Sequence, residues 1–133
     1  MLHLILRPFL HALRRVAFCF ALISLLALSH DVSPAHATQY DKVNLTAEDF
    51  SGQDLRGNSF VQTIFRKANL SGANLSEVSM FGANANLANL EGADLRYATL
   101  DSAQFRRANL KNANLEGAYA FRTNFEGADV EGA

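Results

Sequence analysis

From Leu45 to Val130 every fifth residue is apolar. The series is Leu45, Phe50, Leu55, Phe60, Phe65, Leu70, Leu75, Met80, Ala85, Leu90, Leu95, Leu100, Phe105, Leu110, Leu115, Ala120, Phe125 and Val130, with only Ala85 and Ala120 small. A helix needs a period near 3.6 and a strand a period of 2. A sustained period of five fits neither, and points to a repeat architecture whose units bury apolar faces only by stacking on one another.

The rest of the five-residue unit is patterned too. Two residues before the large centre stands alanine in most units, from Ala68, Ala73 and Ala83 through Ala128. The residue just before the centre is Asn or Asp in twelve of eighteen units, among them Asn69, Asn74, Asp94 and Asn114. All eight glycines fall two residues after a centre. Glycine relieves the steric cost of a turn, and Asn or Asp can bond nearby backbone there. Each unit therefore holds one large inward side chain, one small one and a turn.

The units ANLSG (68–72), ANLSE (73–77), ANLEG (88–92), ADLRY (93–97), ANLKN (108–112) and ANLEG (113–117) carry the motif A(D/N)LXX. In these units the chain resembles the pentapeptide-repeat family, and the resemblance covers roughly residues 43 to 133. It implies an all-β solenoid: a right-handed quadrilateral β-helix of about 4–5 coils, with four pentapeptides per coil and with the centre and the alanine pointing inward.

A coil of twenty can be tested on the charges. Residues one coil apart lie about 4.8 Å from each other, so opposite charges should meet there and like charges should not. At a separation of twenty, after the first 37 residues, there are four charged pairs: Glu91–Lys111, Lys111–Glu131, Arg96–Glu116 and Arg106–Glu126, all opposite. At fifteen there are three opposite and four like pairs, and at twenty-five three of each. Stacking by twenty sets Ala85 between Phe65 and Phe105, where a small residue relieves crowding. At the start of the repeat, Val43, Glu48, Gln53, Asn58 and Thr63 replace alanine, so the first coil is expected to be a cap or distorted. Ala133 opens a further unit with no cap after it, so either the repeat continues beyond it or a partner covers that end, and end-to-end self-association is one expectation.

Residues 1–37 differ in kind. Arg7, Arg14 and Arg15 precede an apolar stretch of thirteen residues, Val16 to Leu28, and then Ala35-His36-Ala37. A basic start, a short apolar core and a small-x-small site read as a helical, cleavable signal peptide. Ala35 and Ala37 mark the cleavage site, and Thr38 is the first mature residue. An uncleaved membrane anchor is the alternative reading, against which thirteen apolar residues are short for a span. Arg14-Arg15 also admits twin-arginine export beside the Sec route. Residues 38–42 read as a short lead-in and 43–133 as the repeat. After cleavage no stable membrane span is expected.

From Thr38 onward Lys and Arg number nine and Asp and Glu twelve, a net charge of about −3, and the chain's single cysteine and four histidines lie upstream. No metal site, nucleophile or cofactor is expected, and the chain reads as no enzyme. Asn44-Leu45-Thr46, Asn69-Leu70-Ser71 and Asn74-Leu75-Ser76 match the glycosylation triplet, but they arise from the repeat itself. Arg66-Lys67 and Arg106-Arg107 share a face, readable as a site for an anionic partner or as ordinary solvated charge.

Apolar residues at outward positions are more informative: Phe81, Tyr97, Tyr119 and Phe121, with Ile64 and Leu87. The aromatic set reads as a protein contact. The competing reading is a local register slip that turns Phe121 inward past Ala120. Two functions follow. One is a non-catalytic structural or protein-interaction module, exported to the thylakoid lumen or periplasm. The exported, lumenal members of the family are those the chain looks most like, through its signal-bearing start and the run AEDFSGQDLRGNSF (47–60). The other is DNA mimicry toward a DNA gyrase-like enzyme, as the family resemblance also allows. Mimicry needs a strongly acidic surface, so a net charge near −3 counts against it, and the same charge does not point to nucleic acid as a partner.

Overall fold

A computed structural model describes residues 38–133; the expected signal segment and its cleavage residues Ala35 and Ala37 lie outside the described residues. Every unit ends in the same turn. Nineteen residues, one in every five from Lys42 to Gly132, have φ between +54° and +71°. The carbonyl of each centre accepts the N–H three residues on, as in Ala68 N to Phe65 O at 2.9 Å and Ala93 N to Leu90 O at 3.0 Å. Positive φ confined to the third turn residue is the type II pattern, which glycine meets without strain. Only eight of the nineteen are glycines; the others include Lys67, Leu87 and Tyr97.

Four such turns bring the chain back over itself. Fifteen parallel bridges join residues twenty apart, from Gln39–Ser59 to Asn109–Asp129. Each is a single-residue bridge, so the coil is four short sides rather than four long strands. The N–H of Leu90 donates to Asn109 O at 2.7 Å, that of Gly92 to Lys111 O at 2.8 Å, and that of Asn89 to Ala68 O at 2.9 Å. The same triplet recurs around the coil, which confirms the coil of twenty read from the charges.

Pairing starts one unit before the expected boundary at 43. Gln39 bridges Ser59, the Tyr40 N–H donates to Ser59 O, and the Tyr40 ring stacks on Phe60 at 5.2 Å. Residues 38–42 are thus part of the solenoid. The first face runs Leu45, Phe65, Ala85, Phe105, Phe125; the second Phe50, Leu70, Leu90, Leu110, Val130; the third Leu55, Leu75, Leu95, Leu115; the fourth Tyr40, Phe60, Met80, Leu100, Ala120.

The interior is filled. Centres from Phe65 to Leu110 are 0% exposed, and the alanines beside them nearly so. The first coil keeps its register despite its polar inward residues, so the expected distortion does not occur. Thr63 is buried because its hydroxyl donates to Tyr40 O, and Asn58 accepts the Thr38 N–H at 3.0 Å. Gln53 Oε1 is buried without a partner in the described residues. At the other end Leu115 and Phe125 are half-buried and Val130 is exposed. Among the described residues, eight N–H groups of this last coil, such as those of Leu115, Ala120 and Phe125, find neither a backbone nor a side-chain acceptor.

All twelve Asn and Asp residues before a centre use one side-chain oxygen to accept the N–H two residues on, as Asn74 does from Ser76 at 3.1 Å. In the three glycosylation-like triplets the Thr46, Ser71 and Ser76 hydroxyls donate to that same oxygen. On the second face the amides also stack: Asn69 donates to Asp49, Asn89 to Asn69 and Asn109 to Asn89, at 3.1–3.3 Å.

Ala85 divides two aromatic groups. Below it Phe65 packs edge-on to Phe50 and Phe60, at 6.1 and 5.1 Å; above it Phe105 stacks on Phe125 at 5.5 Å. Ala85→Phe adds a ring to a closed interior and is expected to cost about 1–3 kcal/mol through overpacking. Thermal melting checks this: the variant should melt below the parent, and an equal or higher midpoint would mean the space exists.

Candidate interaction surface

Function in a filled solenoid has to be sought on its outer faces. Each unit offers three outward residues: the one before the centre and the two after it. The ladder assigns most of these structural work. The Arg56 guanidinium forks onto Asp54, with Nε to Oδ1 at 2.9 Å and Nη2 to Oδ2 at 2.7 Å, and Arg96 does the same with Asp94. These hydrogen bonds hold the carboxyls of Asp54 and Asp94 below the ordinary 3.8. Asp49 is lowered chiefly by the Ser51 N–H. Lys111 is raised, first by its bond to Glu131 and then by Asp129.

Of the four expected charge pairs, two close: Arg106–Glu126 at 3.0 Å and Lys111–Glu131 at 2.9 Å. Arg96 instead turns to Asp94 in its own unit, and Glu91 accepts from Asn109 Nδ2 at 3.2 Å. A bidentate fork within one unit gives better geometry than a single reach across a coil. The Asp-Leu-Arg triplets at 54–56 and 94–96 carry that signal in the sequence. The basic pair Arg106-Arg107 is partly neutralised by Glu126, in keeping with ordinary solvated charge.

The aromatic residues are placed differently. Phe81 is 46% exposed, Tyr97 57%, and Tyr119 and Phe121 67% each. Phe81 and Phe121 occupy the same outward position of the fourth face, two coils apart, with Asp101 between them. The competing reading, a slip of Phe121, does not occur. Tyr119 bridges Thr99 in register, the Ser102 N–H donates to Phe121 O at 2.8 Å, and Arg122 takes the turn φ of 54°. Ala120 simply belongs to the open last coil. The Arg122 guanidinium sits 5.0 Å from the centre of the Phe121 ring.

Tyr97 leans along the axis toward the next coil. Its ring would stand 2.6 Å from a Cβ placed on Gly117, so only glycine leaves room for it there. Its ring thus reaches the coil that carries Tyr119. Ile64 and Leu87 are exposed on the first face, apart from this group.

Sequence reasoning missed one role. On the fourth face the residues before the centre are Ser59, Ser79, Thr99 and Tyr119, none of which supplies the usual carboxylate or amide. Aspartates one coil below take over: Asp41 accepts the Val61 N–H at 2.9 Å, and Asp101 accepts the Phe121 N–H at 2.8 Å. Asp101 thereby holds the backbone that presents Phe121.

Among the described residues no cluster of His, Cys, Asp and Glu is arranged to hold a metal ion, and no helix is long and apolar enough to cross a membrane. A protein-family model described as "Pentapeptide repeats" matches eight copies, over residues 42–72, 73–112 and 100–133. Among solved structures, the chain is 37% identical to a pentapeptide repeat protein of the Arabidopsis thaliana thylakoid lumen, covering 77% of this chain and 70% of that one, with a TM-score of 0.62. It is 33% identical to a pentapeptide repeat protein from Nostoc PCC 7120, covering 69% and 84%, with a TM-score of 0.60. HetL, a pentapeptide repeat protein involved in heterocyst differentiation regulation in Nostoc sp. strain PCC 7120, is 26% identical over 71% of this chain and 47% of its own, with a TM-score of 0.51. No curated protein matches.

The lowered carboxyls set an acid limb to stability. A depressed folded pKa stabilises the fold above the unfolded value, and that stabilisation disappears as pH falls through the folded value. The melting temperature is expected to hold from pH 7 to 5 and to fall below about pH 4. The double variant Asp54→Asn, Asp94→Asn keeps the acceptor oxygens without the titrating charge. Melts between pH 5 and 2 should show a shallower acid fall for it, and an unchanged slope would remove these two carboxyls from the account.

Proposed function

The chain belongs to the pentapeptide-repeat family, and from that premise we propose that it is a non-catalytic module that binds another protein in an exported compartment, the thylakoid lumen or periplasm. The observation that carries the binding role is the aromatic set Phe81, Tyr97, Tyr119 and Phe121, exposed and in register on a solenoid whose interior is full. Large aromatics without a structural task are the residues that dominate protein contacts. Support for export comes from the signal-like composition of residues 1–37 and from likeness to a lumenal protein. DNA mimicry at a gyrase-like enzyme has less support, since Arg96, Arg106 and Lys111 interleave with the carboxylates and break up any continuous acidic surface.

Fractionation of a tagged full chain, with N-terminal sequencing and pull-down, tests both halves. A start at Thr38 in a lumenal or periplasmic fraction is expected, with captured protein lost in a folded Phe81→Ser, Tyr119→Ser variant. A start at Met1 in the cytoplasm would overturn export, and unchanged capture would overturn the contact.

A further inference from the structure

The fourth face differs from the other three in charge as well as in aromatics. From residue 59 upward it has twelve outward positions, and only Asp101 and Arg122 among them are charged. Over the same coils the first face carries Arg66, Lys67, Arg106, Arg107 and Glu126, and the second Glu91, Lys111, Asp129 and Glu131. Depletion of charge together with exposed aromatic residues is the composition of an interface core. Asp101 stands at the middle of this surface. Its Oδ1 accepts the Phe121 N–H, and among the described residues no cation pairs with it.

Spacing then selects the kind of partner. Phe81 and Phe121 stand two coil steps apart, about 9.6 Å at the strand spacing, with Asp101 midway. On an extended strand, residues facing one way recur every ~6.8 Å, so neither one step nor two matches. On an α-helix, positions i and i+7 share a face at about 10.5 Å, and i+3 and i+4 lie halfway. Resting on the protein-binding reading above, we propose that the fourth face docks an amphipathic helix of a partner protein, aligned with the solenoid axis and carrying one cation opposite Asp101. Apolar side chains at i and i+7 pack on Phe81 and Phe121, and a Lys or Arg at i+3 or i+4 meets the Asp101 carboxylate. In the same row of positions Ser79 and Thr99 are small, and Tyr119 stands beside Phe121 at its upper end.

The test is selection of a displayed helical-peptide library, randomised at i, i+3, i+4 and i+7, on the full chain and on its Asp101→Asn variant. Asparagine keeps the carbonyl oxygen that receives the Phe121 N–H, so the face stays formed while the charge is removed. Peptides with apolar residues at i and i+7 and a cation at i+3 or i+4 should enrich on the parent. Asp101→Asn should weaken those peptides about tenfold, in the range of close charge pairs, and should leave uncharged versions unaffected. Phe81→Ser and Phe121→Ser should weaken both kinds. No enrichment, or a cation preference that survives Asp101→Asn, overturns the proposal. Binding of the parent to anionic phospholipid vesicles with the same dependence on Phe81 and Phe121 also overturns it, in favour of a membrane surface. Self-association in sedimentation that Phe121→Ser abolishes does the same, in favour of a second copy. If the helix fails while pull-down still depends on Phe81 and Tyr119, the protein-binding reading survives without it.

Discussion

The hydrogen bond from one coil to the next is the interaction on which everything else here depends. It requires the chain to return to the same place after twenty residues, and that requires a turn every five. Eleven of the nineteen turns place a residue other than glycine at positive φ, a conformation costing roughly 1–2 kcal/mol for a residue with a Cβ. The ladder offsets it locally. In ten of the eleven the N–H of the strained residue is itself bonded to the coil above, as in Lys67 N to Asn86 O at 3.1 Å and Tyr97 N to Glu116 O at 3.0 Å; Arg122, in the last described coil, is the exception. The bond is a backbone one, made equally by the glycines at this position, as in Gly92 N to Lys111 O at 2.8 Å, so it holds the turn whatever the side chain.

Much of this was legible in the sequence because the information is local. The period of five, the inward alanine, the Asn or Asp before the centre and the coil of twenty each follow from residue types at fixed intervals. The twelve acceptors before the centre act as their chemistry suggests. Tyr40 escaped because its unit lacks both marks, with Gln39 in the Asn/Asp position and no alanine before it. The Asp94–Arg96 fork escaped because a pairing rule based on coil spacing ignores a nearer partner.

The candidate site was legible in part. That Phe81, Tyr97, Tyr119 and Phe121 point outward follows from their place in the unit. That Phe121 stays there needed the backbone, since Ala120 alone suggested a slip. The role of Asp101 was hidden for a related reason: it serves the N–H of a residue one full coil away, as Asn86 does for Arg106 on the first face, and it does so on a face where Ser59, Ser79, Thr99 and Tyr119 supply no acceptor of the usual kind. Dependence across coils is carried by side-chain geometry, which a linear pattern does not display.

The molecule divides into residues that hold the ladder and core and a small aromatic set that does not. Outward substitutions away from structural features usually change stability by no more than about 0.5 kcal/mol each. The most direct measurement is the melting temperature of the variant carrying Phe81→Ser, Tyr97→Ser, Tyr119→Ser and Phe121→Ser together. It is expected within a few degrees of the parent, because none of the four side chains lies in the core. A fall comparable to removal of one core leucine, about 2–5 kcal/mol of stability, would show that the aromatics hold the fold and would contradict their assignment to binding.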